Sequence, residues 1–216
     1  MDQQSLRKLI EDTILHVQNV PYVITGVSNR HIHLSRLDMD TLFGPGHELT
    51  PVKDLLQPGQ YACKETVSAA GPKGRINNIR ILGPVRGETQ LELSMTDTFS
   101  LGVSCPINES GNLDKAGRIR IENPVMGTSI EKNCGIIALR HAHLTPETAR
   151  KFNLRDKQFV SLEYGGKRGI RYGGVLLRVS DRFCDEIHLD TDEANAGAVK
   201  NGDMGVIVPL KGRHDV

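Results

Sequence analysis

Two copies of one histidine phrase are the part of this sequence best suited to chemistry. His31 and His33 stand in the first copy, Arg-His-Ile-His-Leu-Ser, and His141 and His143 stand in the second, Arg-His-Ala-His-Leu-Thr, 110 residues later. Residues i and i+2 of a strand point to the same face, so each pair aims two imidazoles at one point. Hydrogen bonding within a strand explains a lone histidine well, but it does not explain two equivalent pairs. The phrases therefore predict two metal sites on a duplicated framework.

A single polar side chain between aliphatic residues follows each histidine pair. Glu92 is this residue in the first copy and His188 in the second, and an arginine (Arg86 or Arg182) precedes each of them by six residues. We predict Glu92 and His188 as the third ligands. Two histidines with a carboxylate, or three histidines, suit zinc or another borderline divalent ion. Three protein ligands leave a coordination position open, which is typical of a catalytic site.

The elements that position these residues are predicted to be mostly short strands. Each histidine phrase runs into a helix start, at Ser35 in one copy and at Thr145 in the other. Many short strands separated by glycine and proline, with few helices, favour barrels or sandwiches over a doubly wound sheet. Neither GxGxxG nor GxxxxGK[ST] occurs, so these nucleotide-binding motifs are excluded. The clearest strand-like runs are 22–24, 79–82, 90–93, 135–139, 159–162, 175–177, 186–189 and 206–208.

The chain opens with a segment of different character. Its apolar residues recur at helical spacing and charged residues lie between them, which predicts an amphipathic helix that ends before Pro21. Such a helix either packs on its own globule or binds a partner as a detachable peptide. The apolar stripe consists of Leu6, Leu9, Ile10, Thr13, Ile14 and Val17.

Composition restricts the class of protein. The 216 residues include 27 Lys and Arg against 26 Asp and Glu, a formal net charge of +1, which argues against nucleic-acid binding through a broad basic surface. We expect no membrane span and no secretory signal, because no apolar run is long enough. The four cysteines are far apart and form no CxxC motif, so we expect free thiols in a reducing cytoplasm.

Several longer phrases of the sequence are specific enough to indicate a family. They are Gly26–Ser35, Leu56–Ala62, Ile81–Arg86, Ser110–Leu113, Arg140–His143 and His188–Ala196. These phrases resemble the PduL-type phosphotransacylases, also called phosphate propanoyltransferases. The resemblance extends from about Val23 to Val208 and includes both histidine phrases.

The resemblance implies a mainly β fold with two duplicated β-barrel domains and short helices. We place the N-terminal helix at 1–20, the first barrel at 21–125 and the second at 126–216, and the barrels are free to exchange segments. It also implies reversible transfer of a short acyl group between coenzyme A and phosphate, with two zinc ions per chain and with Arg86 contacting phosphate. The implied zinc ligands are His31, His33 and Glu92 for one ion, and His141, His143 and His188 for the other.

The family also suggests where the enzyme acts. Its members often carry an amphipathic N-terminal helix that targets them into bacterial microcompartments, so we expect residues 1–19 to contact shell or lumen proteins there. An unpaired apolar helix face also favours a homo-oligomer. We expect direct attack of bound phosphate on the thioester, because no cysteine is paired with a histidine motif. A zinc-dependent hydrolase and a non-catalytic metal-binding microcompartment component are the two alternatives.

Overall fold

The computed structural model describes residues 5–8 and 19–210, which are mainly β-strand with short helices, as predicted. Of the predicted N-terminal helix, only residues 5–8 and 19–20 are described, and 5–8 are helical; the rest lies outside the described residues. The helices are α1 (Arg36–Phe43), α2 (Met95–Leu101), α3 (Pro146–Lys151) and α4 (Thr191–Gly197). The strands are β1 (Tyr22–Ser28), β2 (His31–His33), β3 (Pro51–Asp54), β4 (Tyr61–Ala70), β5 (Arg75–Gly83), β6 (Gln90–Glu92), β7 (Ile107–Asn108), β8 (Gly117–Asn123), β9 (Thr128–Ala138), β10 (His141–Leu144), β11 (Phe159–Tyr164), β12 (Ile170–Val179), β13 (Glu186–Asp190) and β14 (Met204–Pro209).

One compact unit consists of Ser28–Leu139 with Asp190–Glu193. Six of its strands close a ring in the order β2, β5, β4, β8, β9 and β6, with β6 pairing back to β2. Strands β3 and β7 are attached to the outside of this ring, at β4 and β9. We call this ring the glutamate barrel, because β6 carries Glu92.

The other compact unit takes its described residues from the chain up to Val27, from Arg140–Leu189, and from Ala194 onward. Its closed barrel has the order β10, β12, β11, β14, β1 and β13. We call it the histidine barrel, because β13 carries His188. The two rings agree in detail, since β2 and β10 each pair with one parallel and one antiparallel strand at corresponding places. The predicted pair of duplicated barrels is confirmed.

The strand before each histidine phrase belongs to the barrel of the other phrase. β1 immediately precedes β2 in the chain, but its ring neighbours are β13 and β14. β9 immediately precedes β10, but it pairs with β6 and β8. The compact units therefore interleave segments of the chain that the sequence analysis assigned to consecutive domains.

Each barrel has its own apolar core. In β8, Ile119 and Ile121 point inward and are buried, whereas Arg118 and Arg120 alternate with them and are exposed. The aliphatic residues that flank the predicted ligands, such as Ile32 and Ala142, are fully buried in the two cores. The core therefore fixes which face of each strand carries the histidines. Among the described residues, no helix is both long and apolar enough to cross a membrane.

Candidate metal centres

The strands that carry the predicted ligands share one geometry. His31 pairs directly across from Glu92, and His141 pairs directly across from His188, so the two barrels present their ligands in the same register. In each of the helices α1 to α4, the residue that caps the helix follows two residues after a predicted strand ligand. These pairs are His33 with Ser35, Glu92 with Ser94, His143 with Thr145, and His188 with Asp190. The helix starts predicted at Ser35 and Thr145 are confirmed.

The first candidate centre brings His31, His33 and Glu92 together, with one ligand atom from each within 4.8 Å of the others. The Nδ1 of His31 lies 2.9 Å from the carbonyl oxygen of Asn29, and the Nδ1 of His33 lies 3.1 Å from that of Leu82. A ring that donates from Nδ1 keeps its Nε2 lone pair, as a metal ligand requires. The Nε2 of His31 lies 3.5 Å from Oε2 of Glu92, close to the separation of about 3.3 Å between two ligands of tetrahedral zinc.

The carboxylate of Glu92 is held by two residues that the sequence analysis did not assign. Its Oε1 accepts hydrogen bonds from Nε2 of Gln90 at 2.7 Å and from the hydroxyl of Ser110 at 2.8 Å. The amide N–H of Gly111 donates to Gln90 Oε1 at 2.7 Å. Oε2 of Glu92 therefore remains directed at the histidines. The period of two along β6 would have indicated Gln90, whereas Ser110 stands in a phrase that carries the family resemblance but that gives it no role.

The second candidate centre brings His141, His143 and His188 together, again within 4.8 Å. Both ring nitrogens of His143 are buried and have no hydrogen-bond partner among the described residues. Burial, followed by the charges of His141, His188 and Arg178, lowers the pKa of His143 to about 2. A neutral, buried imidazole without a partner costs free energy. Such a ring is better suited to bind a cation than to serve a purely structural role.

Arg86 lies beside the first centre. Its backbone N–H donates to the carbonyl oxygen of Leu34 at 2.9 Å, and its side chain is partly buried. The pKa of His33 is lowered to about 3 by burial first, and then by the charges of His31 and Arg86. The positive charge of the Arg86 guanidinium is therefore close enough to the first centre to lower the pKa of His33. In the histidine barrel the corresponding Arg182 is exposed.

A polar network fixes the end of each histidine strand, and it is buried in the glutamate barrel and partly buried in the histidine barrel. In the glutamate barrel, the N–H of Ser35 donates to Thr89 Oγ1 at 2.9 Å, and Asp38 accepts from Ser35, from Thr89 and, at 2.6 Å, from Lys132. These bonds, with that of Lys132 largest, lower the pKa of Asp38 despite burial.

The histidine barrel contains a similar network in which the carboxylate and the threonine have exchanged places. The N–H of Thr145 donates to Asp185 at 2.6 Å, and Thr148 also donates to Asp185. Asp185 thus occupies the place of Thr89, and Thr148 the place of Asp38. The carboxylate lies on the helix in the glutamate barrel and just before β13 in the histidine barrel, and the bonds to the cap residue are retained.

This exchange predicts the stability of the reciprocal variants. Asp38→Thr removes the carboxylate that accepts from Ser35, Thr89 and Lys132, so we expect the free energy of unfolding to fall by about 2 kcal/mol. Thr89→Asp places a second carboxylate against Asp38 and destabilises similarly. The double variant reproduces the arrangement around Asp185, so it should recover most of the loss. Urea unfolding of metal-free protein measures this, and a double variant no better than the sum of the singles would contradict it.

Asp54→Thr is the matched control for this series. Asp54 is an exposed residue of β3 in the same unit. Its replacement should leave the unfolding midpoint nearly unchanged, because exposed substitutions have small effects.

Three of the four cysteines are poorly suited to act as nucleophiles. All four are free thiols, as predicted. Burial raises the pKa of Cys63 and of Cys105 to about 11 and that of Cys134 to about 12. These three thiols therefore stay protonated at neutral pH, and the thiolate is the nucleophilic form.

Comparisons with known proteins match this chain over nearly its whole length. A family model described as phosphate propanoyltransferase matches residues 24–200. A protein named phosphate propanoyltransferase from Thermotoga maritima is 48% identical over 209 residues, which cover 93% of this chain and 99% of that protein. Relatives of the same name are 44% identical over 203 residues in Clostridioides difficile (94% and 97% covered) and 50% identical over 182 residues in Rhodopseudomonas palustris (84% and 80% covered).

Proposed function

The chain belongs to the phosphate propanoyltransferase family, an acyltransferase family that acts on phosphate, and from that premise we propose its reaction in detail. The enzyme transfers a short acyl group, propanoyl or acetyl, reversibly between coenzyme A and inorganic phosphate. The observation that carries this proposal is the placement of Arg86, an anion-binding side chain, beside the first of two assembled ligand sets.

Both ligand sets fit zinc, one ion in each. The fit rests on the convergence of three donor atoms in each barrel and on the unpartnered ring nitrogens of His143. His31, His33 and Glu92 would hold one ion, and His141, His143 and His188 the other. Bound zinc would supply polarisation of an oxygen atom and affinity for a thiolate sulfur.

The protein's own contribution at the reacting centre is the guanidinium of Arg86. Its planar fork matches two phosphate oxygens, so it holds phosphate in one orientation and offsets charge as that charge develops. A phosphate oxygen attacks the thioester carbonyl, a C–O bond forms, the C–S bond breaks, and the electron pair leaves with the coenzyme A sulfur. The products are an acyl phosphate and free coenzyme A. The raised pKa values of Cys63, Cys105 and Cys134 support direct attack over an acyl-enzyme.

An assay of thiol release tests this proposal. We expect purified, zinc-loaded protein to release thiol from propanoyl-CoA or acetyl-CoA only when phosphate is present, with equimolar acyl phosphate formed. Thiol release that is independent of phosphate would instead identify a hydrolase. No thiol release under either condition would identify a non-catalytic metal-binding protein.

We also propose that residues 1–19 direct the enzyme into the lumen of a bacterial microcompartment and promote its self-association. The support is the amphipathic pattern of the sequence, with Leu9 and Ile14 on its apolar stripe, and the family resemblance. All six predicted ligands and Arg86 lie beyond this segment.

Deletion of residues 1–19 should therefore leave zinc content and turnover nearly intact while reducing oligomer size. Light scattering of the truncated enzyme, together with its metal content, measures both. A reporter fused to residues 1–19 should enter microcompartments, whereas its Leu9→Glu, Ile14→Glu variant should stay diffuse. Unfolding of the truncated enzyme would contradict this proposal.

A further inference from the structure

The two candidate centres differ in where their carboxylate stands. On β6, the ligand position holds Glu92, and the position two residues earlier holds Gln90. On β13, the ligand position holds His188, and the position two residues earlier holds Glu186. The two strands have the same register against their histidine strands, so these positions correspond. Each centre therefore has one carboxylate in this pair of positions. It stands at the ligand position on β6 and two residues before the ligand position on β13.

Glu186 lies directly against His188. Its Oε2 is 3.2 Å from Nε2 of His188, and its side chain is only 11% exposed. Both residues extend from the same face of β13, because they are two apart in a strand. A carboxylate commonly orients a metal-bound imidazole, and increases its basicity, through the ring nitrogen that does not bind the metal. This role therefore requires His188 to bind the ion through Nδ1, with Nε2 left to face Glu186. Gln90 has the corresponding role at the first centre, where it bonds to Glu92.

The place of this carboxylate depends on a glycine from the start of the chain. Gly26 lies on β1, which neighbours β13 in the histidine barrel. A Cβ atom at Gly26 would overlap Oε1 of Glu186 and would lie 3.2 Å from its Cδ. The backbone of Gly26 is not in the left-handed region. A larger residue at this position would therefore displace the Glu186 carboxylate.

We propose that Glu186 is a positioning residue of the second centre. It orients His188 and gives this centre the negative charge that Glu92 gives the first, and Gly26 makes room for it. This inference rests on the proposed function, because it requires that His141, His143 and His188 bind a divalent cation.

The test measures the second centre alone. In full-length protein carrying His31→Ala and His33→Ala, only the second set of ligands remains, and competition with a chromophoric chelator gives its affinity for zinc. We expect Glu186→Gln, which keeps the shape but removes the charge, to lower this affinity by about 10- to 100-fold. Cobalt(II) at saturation should show a shifted visible absorption spectrum, because the donor strength of His188 changes. The melting temperature of the metal-free protein should stay the same.

A pair of glycine variants provides the matched control. Gly26→Ala should weaken zinc binding in the same direction, because its methyl group displaces the carboxylate. Gly173→Ala, on β12 of the same barrel, should have no effect, since a Cβ there has no neighbouring atom within 4 Å. If Gly26→Ala fails to fold, Glu186→Gln still decides the question.

Two results would overturn the inference, and they are distinguishable. Unchanged zinc affinity and an unchanged cobalt spectrum in Glu186→Gln would overturn the role of Glu186 alone. Failure of the parent protein, with both centres intact, to bind zinc or cobalt would overturn this inference together with the metal-dependent part of the proposed function.

Discussion

Purified enzyme should contain close to two zinc equivalents per chain, and His31→Ala combined with His33→Ala should remove one of them together with all measurable acyl transfer. The double variant takes away two of the three donors at the first centre, and Glu92 alone cannot hold the ion. Elemental analysis of the protein, with the phosphate-dependent thiol assay, measures both effects. We expect this loss of acyl transfer to exceed that caused by the other substitutions.

His47 provides the control for the histidine variants. It is a partly buried histidine of the same unit that stacks on Phe43 and lies 3.3 Å from Glu65. His47→Ala should leave the zinc content at two equivalents. A His31→Ala, His33→Ala protein that retains both metals at full occupancy would contradict the ligand assignment.

Arg86→Ala should reduce turnover at low phosphate by about 100-fold or more, because it removes a charged donor that acts on the reacting anion. The loss should appear in kcat/KM for phosphate, through both a higher KM and a lower kcat, while the KM for acyl-CoA and the zinc content stay normal. Arg86→Lys should recover only part of the activity, since an ammonium group cannot reproduce the two-pronged contact. Steady-state kinetics at varied phosphate concentration measure this split.

Arg182→Ala is the matched control, because Arg182 holds the corresponding place before His188 but is exposed. It should leave the phosphate kinetics unchanged. Normal phosphate kinetics in Arg86→Ala would show that another residue holds phosphate.

The sequence predicted the ligand residues wherever their spacing follows the two-residue alternation of side chains along a strand. The alternation in each histidine phrase placed both rings on one face, and the aliphatic neighbours Ile32 and Ala142 fixed that face by burial. The matching positions of Glu92 and His188 followed from internal repetition alone. For these residues, local pattern and chain register determine the geometry.

Other features depend on contacts between residues far apart in the chain. Ser110 reaches Glu92 from a loop, Lys132 reaches Asp38 from β9, and Gly26 faces Glu186 across 160 residues. No periodicity connects such residues. Their proximity is a property of strand order, which alternating hydrophobicity does not specify.

The same strand order has consequences for how the chain folds and for whether its halves can fold separately. The glutamate barrel cannot close until β9 has been synthesised, and the histidine barrel joins β1, from the first thirty residues, to β14, which ends at Pro209. Contacts this distant in sequence slow folding, because long loops must close before any pairing is gained. A chain severed between residues 125 and 126 would yield two fragments, each lacking one strand of its own barrel and carrying one of the other's. Because each barrel takes one strand from the other half of the chain, loss of either half would leave both barrels open, so both centres depend on the whole chain.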